Sequence, residues 1–179
     1  MKLLFRLFWL ILTQSRRSRV NILDAVQTQI RVYPNDLDIF MHVNNGVYLT
    51  YADLARTDLM LRSDVFHLIR KQGWYPVVAA ETIQFKKSLK LGQKVTITTQ
   101  ILGWDEKSFY LEQRYSRGAD WIATALIDAR FLSTKGGKVL PEQIRELVGF
   151  EQTSPELPSY VLKWTESVKL SRDAPTTPQ

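Results

Sequence analysis

Asp36-Leu-Asp38-Ile-Phe-Met41-His42-Val-Asn44-Asn45-Gly46-Val-Tyr48-Leu-Thr-Tyr51 is the stretch where the chain changes its period. Upstream of it, Val26, Thr28, Ile30 and Val32 alternate as the residues of a strand do. Pro34-Asn35-Asp36 is turn chemistry, because proline pre-sets φ and Asn and Asp side chains satisfy nearby backbone groups. Downstream, Tyr48, Tyr51, Ala55 and Leu59 recur along one helical face with Val47 and Leu54 beside them, and Thr50, Asp53 and Thr57 form a polar stripe. Asn45-Gly46 alone would suggest a hairpin turn. No alternating strand follows it, so Asn44 or Asn45 is read as the N-cap of a helix ending at Arg62.

Working outward, Asp64 to Lys71 reads as a second, short helix stopped by Gly73. Four segments rich in Val, Ile, Thr, Phe and Tyr then read as strands: Val77–Lys87, Lys94–Gly103, Ser108–Arg117 and Trp121–Ser133. Their short connections, Leu91-Gly92-Gln93 among them, predict antiparallel neighbours throughout. Pro141–Val148 reads as a closing helix, Pro, Ser and Thr accumulate from Ser154 onward, and Asp173–Gln179 reads as a frayed tail. The order of strand, long helix and four antiparallel strands is an α+β fold in which a twisted sheet wraps one helix. A single helix cannot cover both sheet faces, so the outer face is expected to be polar or to meet another subunit. The organisation predicted is an amphipathic N-terminal segment over 1–19, one domain over 20–150 and a C-terminal extension over 151–179.

Composition limits the chemistry. The chain has 179 residues, 45% hydrophobic and 23% charged, which fits one globular domain and is too short for two of ordinary size. It has no cysteine, which removes disulfides, thiolate zinc sites and any Cys nucleophile. His42 and His67 are its only imidazoles, so no metal or cofactor is expected. The net charge of +6 suits anionic ligands or simple solubility. Nucleic acid is not expected as a partner, because the lysines lack interleaved aromatics and no recognition motif is visible.

Leu3 to Leu12 is apolar except for Arg6 and is followed by Ser15-Arg-Arg-Ser-Arg19. The run is shorter than the roughly 20 residues a membrane span requires, and a basic run stands where a signal peptide would carry its small-residue cleavage site. Drawn as a helix, it places Lys2, Arg6, Thr13 and Arg16 on one stripe. That pattern suits peripheral contact with anionic head groups at the inner face of a membrane, and equally a terminal helix packed on its own domain or on a partner subunit. On the first reading, removing residues 1–19 leaves the domain folded. The location expected is cytoplasmic.

The central stretch places two carboxylates, an imidazole and two carboxamides just before a helix N-terminus. Unpaired N–H groups and the positive dipole end there suit a developing oxyanion, and a nearby carboxylate can act as base or nucleophile. The same residues also make an ordinary turn and cap, in which a lone His bonds the backbone, and by spacing alone that plainer reading prevails. The pattern Asp-x-Asp-x-x-x-His-Val-Asn-Asn-x-x-Tyr resembles the signature of hotdog-fold thioesterases of the 4-hydroxybenzoyl-CoA thioesterase type. Gly103-Trp-Asp-Glu-Lys-Ser-Phe109 and Gly137-Lys-Val-Leu-Pro141 resemble a branch of that superfamily, and the match runs from about Ile30 to about Gly149.

That resemblance implies a hotdog fold and hydrolysis of an acyl-CoA or acyl-carrier thioester, with coenzyme A present only as part of the substrate. It also implies a homodimer or tetramer whose sites lie between subunits. Asp38 matches the catalytic carboxylate; Asn45 and Gly46, at the helix start, would polarise the thioester carbonyl, with His42, Asn44 and Tyr48 shaping the site. Met41 stands where many of these relatives carry glycine. Asp36, two residues from Asp38 in an extended loop, is expected to point the other way. Lys86, Lys87 and Lys90 could hold the phosphates of coenzyme A or merely protect a strand end. Asp53, mid-helix, is the reserve carboxylate, unless it pairs with Arg56 one turn on. Trp74, Tyr75 and Trp104 could line an acyl tunnel, although such aromatics are more often core. The alternatives are a hotdog protein that binds acyl-thioesters without turnover, and a hydratase of the same fold, whose Asp and His spacing is not reproduced here.

Overall fold

Alternation, turn chemistry and the long helix assemble as one curled sheet around that helix, as the motif resemblance implies. The computed structural model describes residues 2–13 and 16–174, so the expected tail beyond 174 lies outside the described residues. The elements are α1 (Lys2–Thr13), β1 (Val26–Arg31), α2 (Asn45–Arg62), α3 (Val65–Lys71), β2 (Trp74–Phe85), β3 (Lys94–Trp104), β4 (Phe109–Arg117), β5 (Asp120–Ser133), β6 (Lys138–Val139), α4 (Pro141–Val148) and α5 (Ser159–Asp173).

The antiparallel sheet runs β1-β3-β4-β5-β2, with β6 added on β5. Its concave face buries Phe109, Leu111 and Tyr115 of β4 and Ala125 and Ile127 of β5 against Tyr48, Tyr51, Ala52, Ala55 and Leu59 of α2. Strand alternation and the helical period thus deliver their apolar residues to one core.

Gln113 is the polar exception on that face. It donates to the Ala52 carbonyl (3.0 Å) and Thr99 Oγ1 (2.9 Å) and accepts from Arg56 (2.8 Å), so a buried amide is fully used.

One expectation about the sheet is corrected. The segment between β2 and β3 is not a hairpin, because β2 pairs with β5 at one edge while β3 lies between β1 and β4. The chain instead crosses over beneath the N-terminus of α2. Leu89 is 0% exposed there, and its carbonyl accepts from Val43 N–H (2.9 Å). The crossover is tied to the loop ahead of α2, where His42 bridges Lys90. Both Lys86 and Lys87 N–H groups donate to the Ile122 carbonyl (2.8 and 3.1 Å), a local bulge at the exit from β2.

The outer sheet face is covered by neither of the two expected means alone. A strap from Phe150 leads into α5, which crosses that face. Tyr160 donates to Glu112 (3.0 Å), and Val161 is buried. The strap passes over Gly103, where a Cβ would lie 2.8 Å from Leu157 and 2.9 Å from Ser154 Oγ. Ser154 Oγ accepts from Trp104 N–H (2.8 Å), and Trp104 packs on Phe109 and Phe150 as core. Tyr75, by contrast, is exposed on β2.

At the other end, α1 packs on α2 and turns Arg6 and Leu10 inward. Arg6 therefore leaves the outward basic stripe, and Phe5, Phe8, Trp9 and Leu12 form the exposed face instead. Arg17 Nη1 lies 2.8 Å from the buried Asp58 of α2, and Arg62 donates to Ser18. The N-terminal segment is bound into the domain.

Candidate active site

The loop from Asp36 to Asn44 is closed on itself before α2 begins. Asp38 N–H donates to the His42 carbonyl (2.8 Å), Met41 N–H donates to the Asp38 carbonyl (3.1 Å), and Leu37 bridges Val43. Asp38 Oδ1 accepts from the N–H groups of Phe40 (2.8 Å) and His42 (3.2 Å). Its other oxygen, Oδ2, accepts no hydrogen bond among the described residues. Half of the carboxylate thus fixes the loop, and half is available to a reactant.

To close the turn, Met41 adopts φ of +60°. An L-residue in that left-handed region is strained where glycine is not, which gives a backbone reason for the glycine of many relatives. The tip is apolar and open, with Phe40 73% exposed beside Ile39 and Met41.

Of the two caps the sequence offers, Asn44 or Asn45, the structure uses Asn44. Its Oδ1 accepts from Gly46 N–H (2.9 Å), and its carbonyl accepts from Val47 N–H (2.9 Å). Asn45 N–H, the first of the helix, has no acceptor among the described residues, and Asn45 is exposed. Tyr48 lies one turn further on and is buried, which raises its pKa. It accepts from Leu89 N–H (3.1 Å) and packs edge-on against Phe85 at 5.0 Å. Tyr115 donates to its carbonyl (2.7 Å). Tyr48 therefore welds the helix start to the crossover segment. The structure brings Asp38, His42, Asn44, Asn45, Gly46 and Tyr48 into one loop-to-helix corner.

Of the three lysines, only Lys90 reaches this corner, through a backbone bridge to His42. Lys86 Nζ sits 4.6 Å over the Trp121 ring, and Lys87 pairs with Asp120. Lys87 and Arg117 hold the Asp120 carboxyl down at about 2. The bulge after β2 turns both lysines toward the β4–β5 hairpin. Asp53 is 57% exposed and bridges Arg56, the pairing that one helical turn predicts. Among the described residues, no three of His, Asp and Glu gather as a metal ion would require.

The Asp36 side chain shares no hydrogen-bond partner with that of Asp38, and its environment was not legible in the motif. Its Oδ2 accepts from Arg6 (2.6 Å), the Tyr51 hydroxyl (2.8 Å) and Tyr33 N–H (2.8 Å), and its carbonyl accepts from Asn44 N–H (2.9 Å). Burial works to lower the Arg6 pKa, but Tyr51 and Asp36 outweigh it and the pKa ends raised. Burial, above all, pushes the Tyr51 hydroxyl up.

The family model described as the thioesterase-like superfamily matches residues 32–165. Protein THEM6 of Xenopus laevis is 36% identical over 135 residues, covering 74% of this chain and 63% of that protein. This chain thus spans less than two thirds of that relative's length. The long-chain acyl-CoA thioesterase FadM of Escherichia coli is 35% identical over 117 residues, covering 64% of this chain and 89% of FadM. A solved variant of 4-hydroxybenzoyl-CoA thioesterase, complexed with 4-hydroxybenzoyl-CoA, superposes with a TM-score of 0.62 at 20% identity. It covers 69% of this chain and 98% of that one, and this likeness shows the fold.

Proposed function

Because this chain belongs to the thioesterase-like superfamily, we propose that it hydrolyses an acyl-CoA thioester to the free acid and the thiol, with Asp38 as the general base. The observation that carries the assignment is the divided carboxylate of Asp38, with Oδ1 held by two N–H groups and Oδ2 open. Water placed beside Oδ2 gives up a proton as its oxygen attacks the thioester carbon. The carbonyl oxygen takes the negative charge near Asn45 N–H and the positive end of α2. As the tetrahedral species collapses, the C–S bond breaks, and the proton passes to the departing sulfur. His42 and Asn44 flank Asp38 and the helix start, and Lys90, whose main chain bridges His42, is the lysine assigned to a phosphate of coenzyme A.

An apolar cavity of about 250 Å³ lies between α2 and the sheet, walled by Val77, Val78, Leu111 and Phe131, with Asp53 and Arg56 on its polar side and no residue of the 36–48 corner in its lining. It is suited to an acyl chain. The long β2 edge, with Tyr75, Val78 and Phe85 exposed, supports a homodimer through that strand. The cover that α5 places on the outer face favours a dimer over a tetramer stacked through its sheets. No helix among the described residues is long and apolar enough to cross a membrane. The exposed Phe5, Phe8, Trp9 and Leu12, followed by Arg16 and Arg19, support peripheral contact with an anionic membrane from the cytoplasm.

An acyl-CoA panel with a free-thiol readout tests the activity. Asp38→Asn keeps the shape and removes the base, so turnover falls by about 10²-fold or more while substrate binding changes little. Asp53→Asn retains activity. Saturable acyl-CoA binding without thiol release would favour the binding-only alternative, and loss of activity in Asp53→Asn but not in Asp38→Asn would reassign the base.

A further inference from the structure

We propose that Arg6 is a positioning residue for the Asp38 loop, acting through Asp36, so that a helix outside the family's matched region completes the site. The inference rests on Asp38-driven thioester hydrolysis as the activity. The matched residues begin at Val32, whereas Arg6 lies on α1.

Three separate parts of the chain meet on one oxygen of Asp36: α1 through Arg6, α2 through Tyr51, and the end of β1 through Tyr33 N–H. The guanidinium is itself located, since it lies 5.2 Å from the Tyr33 ring and 4.9 Å from the Tyr51 ring and donates to the Arg31 carbonyl (3.1 Å). Side-chain exposure is 14% for Arg6 and 4% for Asp36.

Asp36 in turn holds Asn44, the cap of α2, through its carbonyl (2.9 Å). Asp38 lies between these two fixed points. Without the cation, a buried carboxylate would be left with two neutral donors, and a charge so placed moves toward water. Its main chain is the near anchor of the loop, so that movement carries Asp38 and the Asn44 cap with it. A displacement of an ångström at a reacting group is enough to slow catalysis severely.

Arg17 and Asp58 supply a matched control. They join the same N-terminal segment to α2 by an ion pair of 2.8 Å, with Asp58 almost fully buried, and no hydrogen bond or ion pair among the described residues links them to the 36–44 loop.

The test compares Arg6→Ala, Arg6→Lys and Arg17→Ala in the full chain. It records thermal midpoint, kcat and KM on an acyl-CoA that the unmodified protein hydrolyses, and hydrogen exchange across 36–44. Both alanine variants lower the midpoint. Arg6→Ala lowers kcat by about tenfold or more with KM little changed, and speeds exchange at the Phe40 and His42 amides. Arg6→Lys recovers part of kcat, because an ammonium replaces the charge without the second contact to Arg31. Arg17→Ala keeps kcat.

Equal midpoint losses with kcat retained in both alanine variants would make Arg6 structural only and overturn the proposal. Should Arg6→Ala fail to fold, the double variant Arg6→Met/Asp36→Asn removes both charges of the same ion pair, so neither is left unpaired. Unchanged kcat and exchange in that variant would overturn the proposal equally. An unmodified protein that releases no thiol would defeat the thioesterase reading and this inference with it, whereas activity retained in Arg6→Ala would defeat the inference alone.

Discussion

Deleting residues 1–19 is the perturbation whose cost follows most directly from the structure. The deletion strands two buried carboxylates at once. Asp36 loses Arg6, and Asp58 loses Arg17 while keeping Thr28 (2.6 Å) and a distant Arg62 (3.8 Å). Removing one partner of a buried pair costs about 3–5 kcal/mol. The Asp36 site belongs near the bottom of that range, because Tyr51 and Tyr33 remain. Asp58 belongs lower still, at about 2 kcal/mol, because Arg17 is 30% exposed and Arg62 can move in. Uncovering the pocket of the buried Leu10 adds about 1 kcal/mol. The loss of about 6 kcal/mol competes with a total stability of about 5–15 kcal/mol for a domain of this kind. The truncated chain is therefore expected near its unfolding midpoint in plain buffer.

Urea unfolding followed by far-UV circular dichroism measures this, with the midpoint falling by about 2–3 M. Adding Asp36→Asn and Asp58→Asn to the truncated chain restores part of the loss, because neither buried charge is then left unpaired. A truncated protein whose midpoint stays within about 0.5 M of the full chain would refute the electrostatic reasoning and return the segment to the status of a dispensable leader.

Two further outcomes are expected. Met41→Gly relieves the left-handed backbone at φ +60°, and after the entropy cost of glycine it raises the thermal midpoint by about 1–3 °C. Met41→Ala keeps the strain and gives no such gain, so equal midpoints for the two variants would dismiss strain as the reason. Gly103→Ala drives a methyl into Leu157 and Ser154 of the strap, costing about 1–3 kcal/mol and speeding limited proteolysis between Phe150 and Ser159; an unchanged digestion pattern would show that the strap yields freely.

The strand-to-helix change of period, the Asn44 cap and the apolar face of α2 were legible because each is local and follows one periodicity. The crossover between β2 and β3 was not, since loop length says nothing of a strand's distant partners, and β2 pairs with β5 at the sheet edge rather than with β3. The covering helix α5 was hidden by its composition. Its segment follows Pro155 and Pro158, holds three Ser and two Lys among its fifteen residues, and buries little beyond Val161. At the candidate site, Asp38, His42 and Asn44 could be placed together because they lie within one turn-to-cap motif. The partners of Asp36 could not, because Arg6 is thirty residues away and its stripe on α1 looks like an outward basic face. A signal was nevertheless present: a lone arginine inside an apolar run is costly to bury and calls for a buried acid.

Under the proposed dimer, the β2 edge also bears on the life of the chain before assembly. From Trp74 to Phe85 it presents an unpaired row of main-chain groups flanked by Tyr75, Val78 and Phe85, and such a row templates any extended segment that meets it. Newly made copies at low concentration would keep it open longest. Crowded or partly folded neighbours would then compete with the correct mate. Abundance, chaperone supply and dilution during purification become determinants of yield, and a charged substitution at Val78 would trade assembly for resistance to clumping.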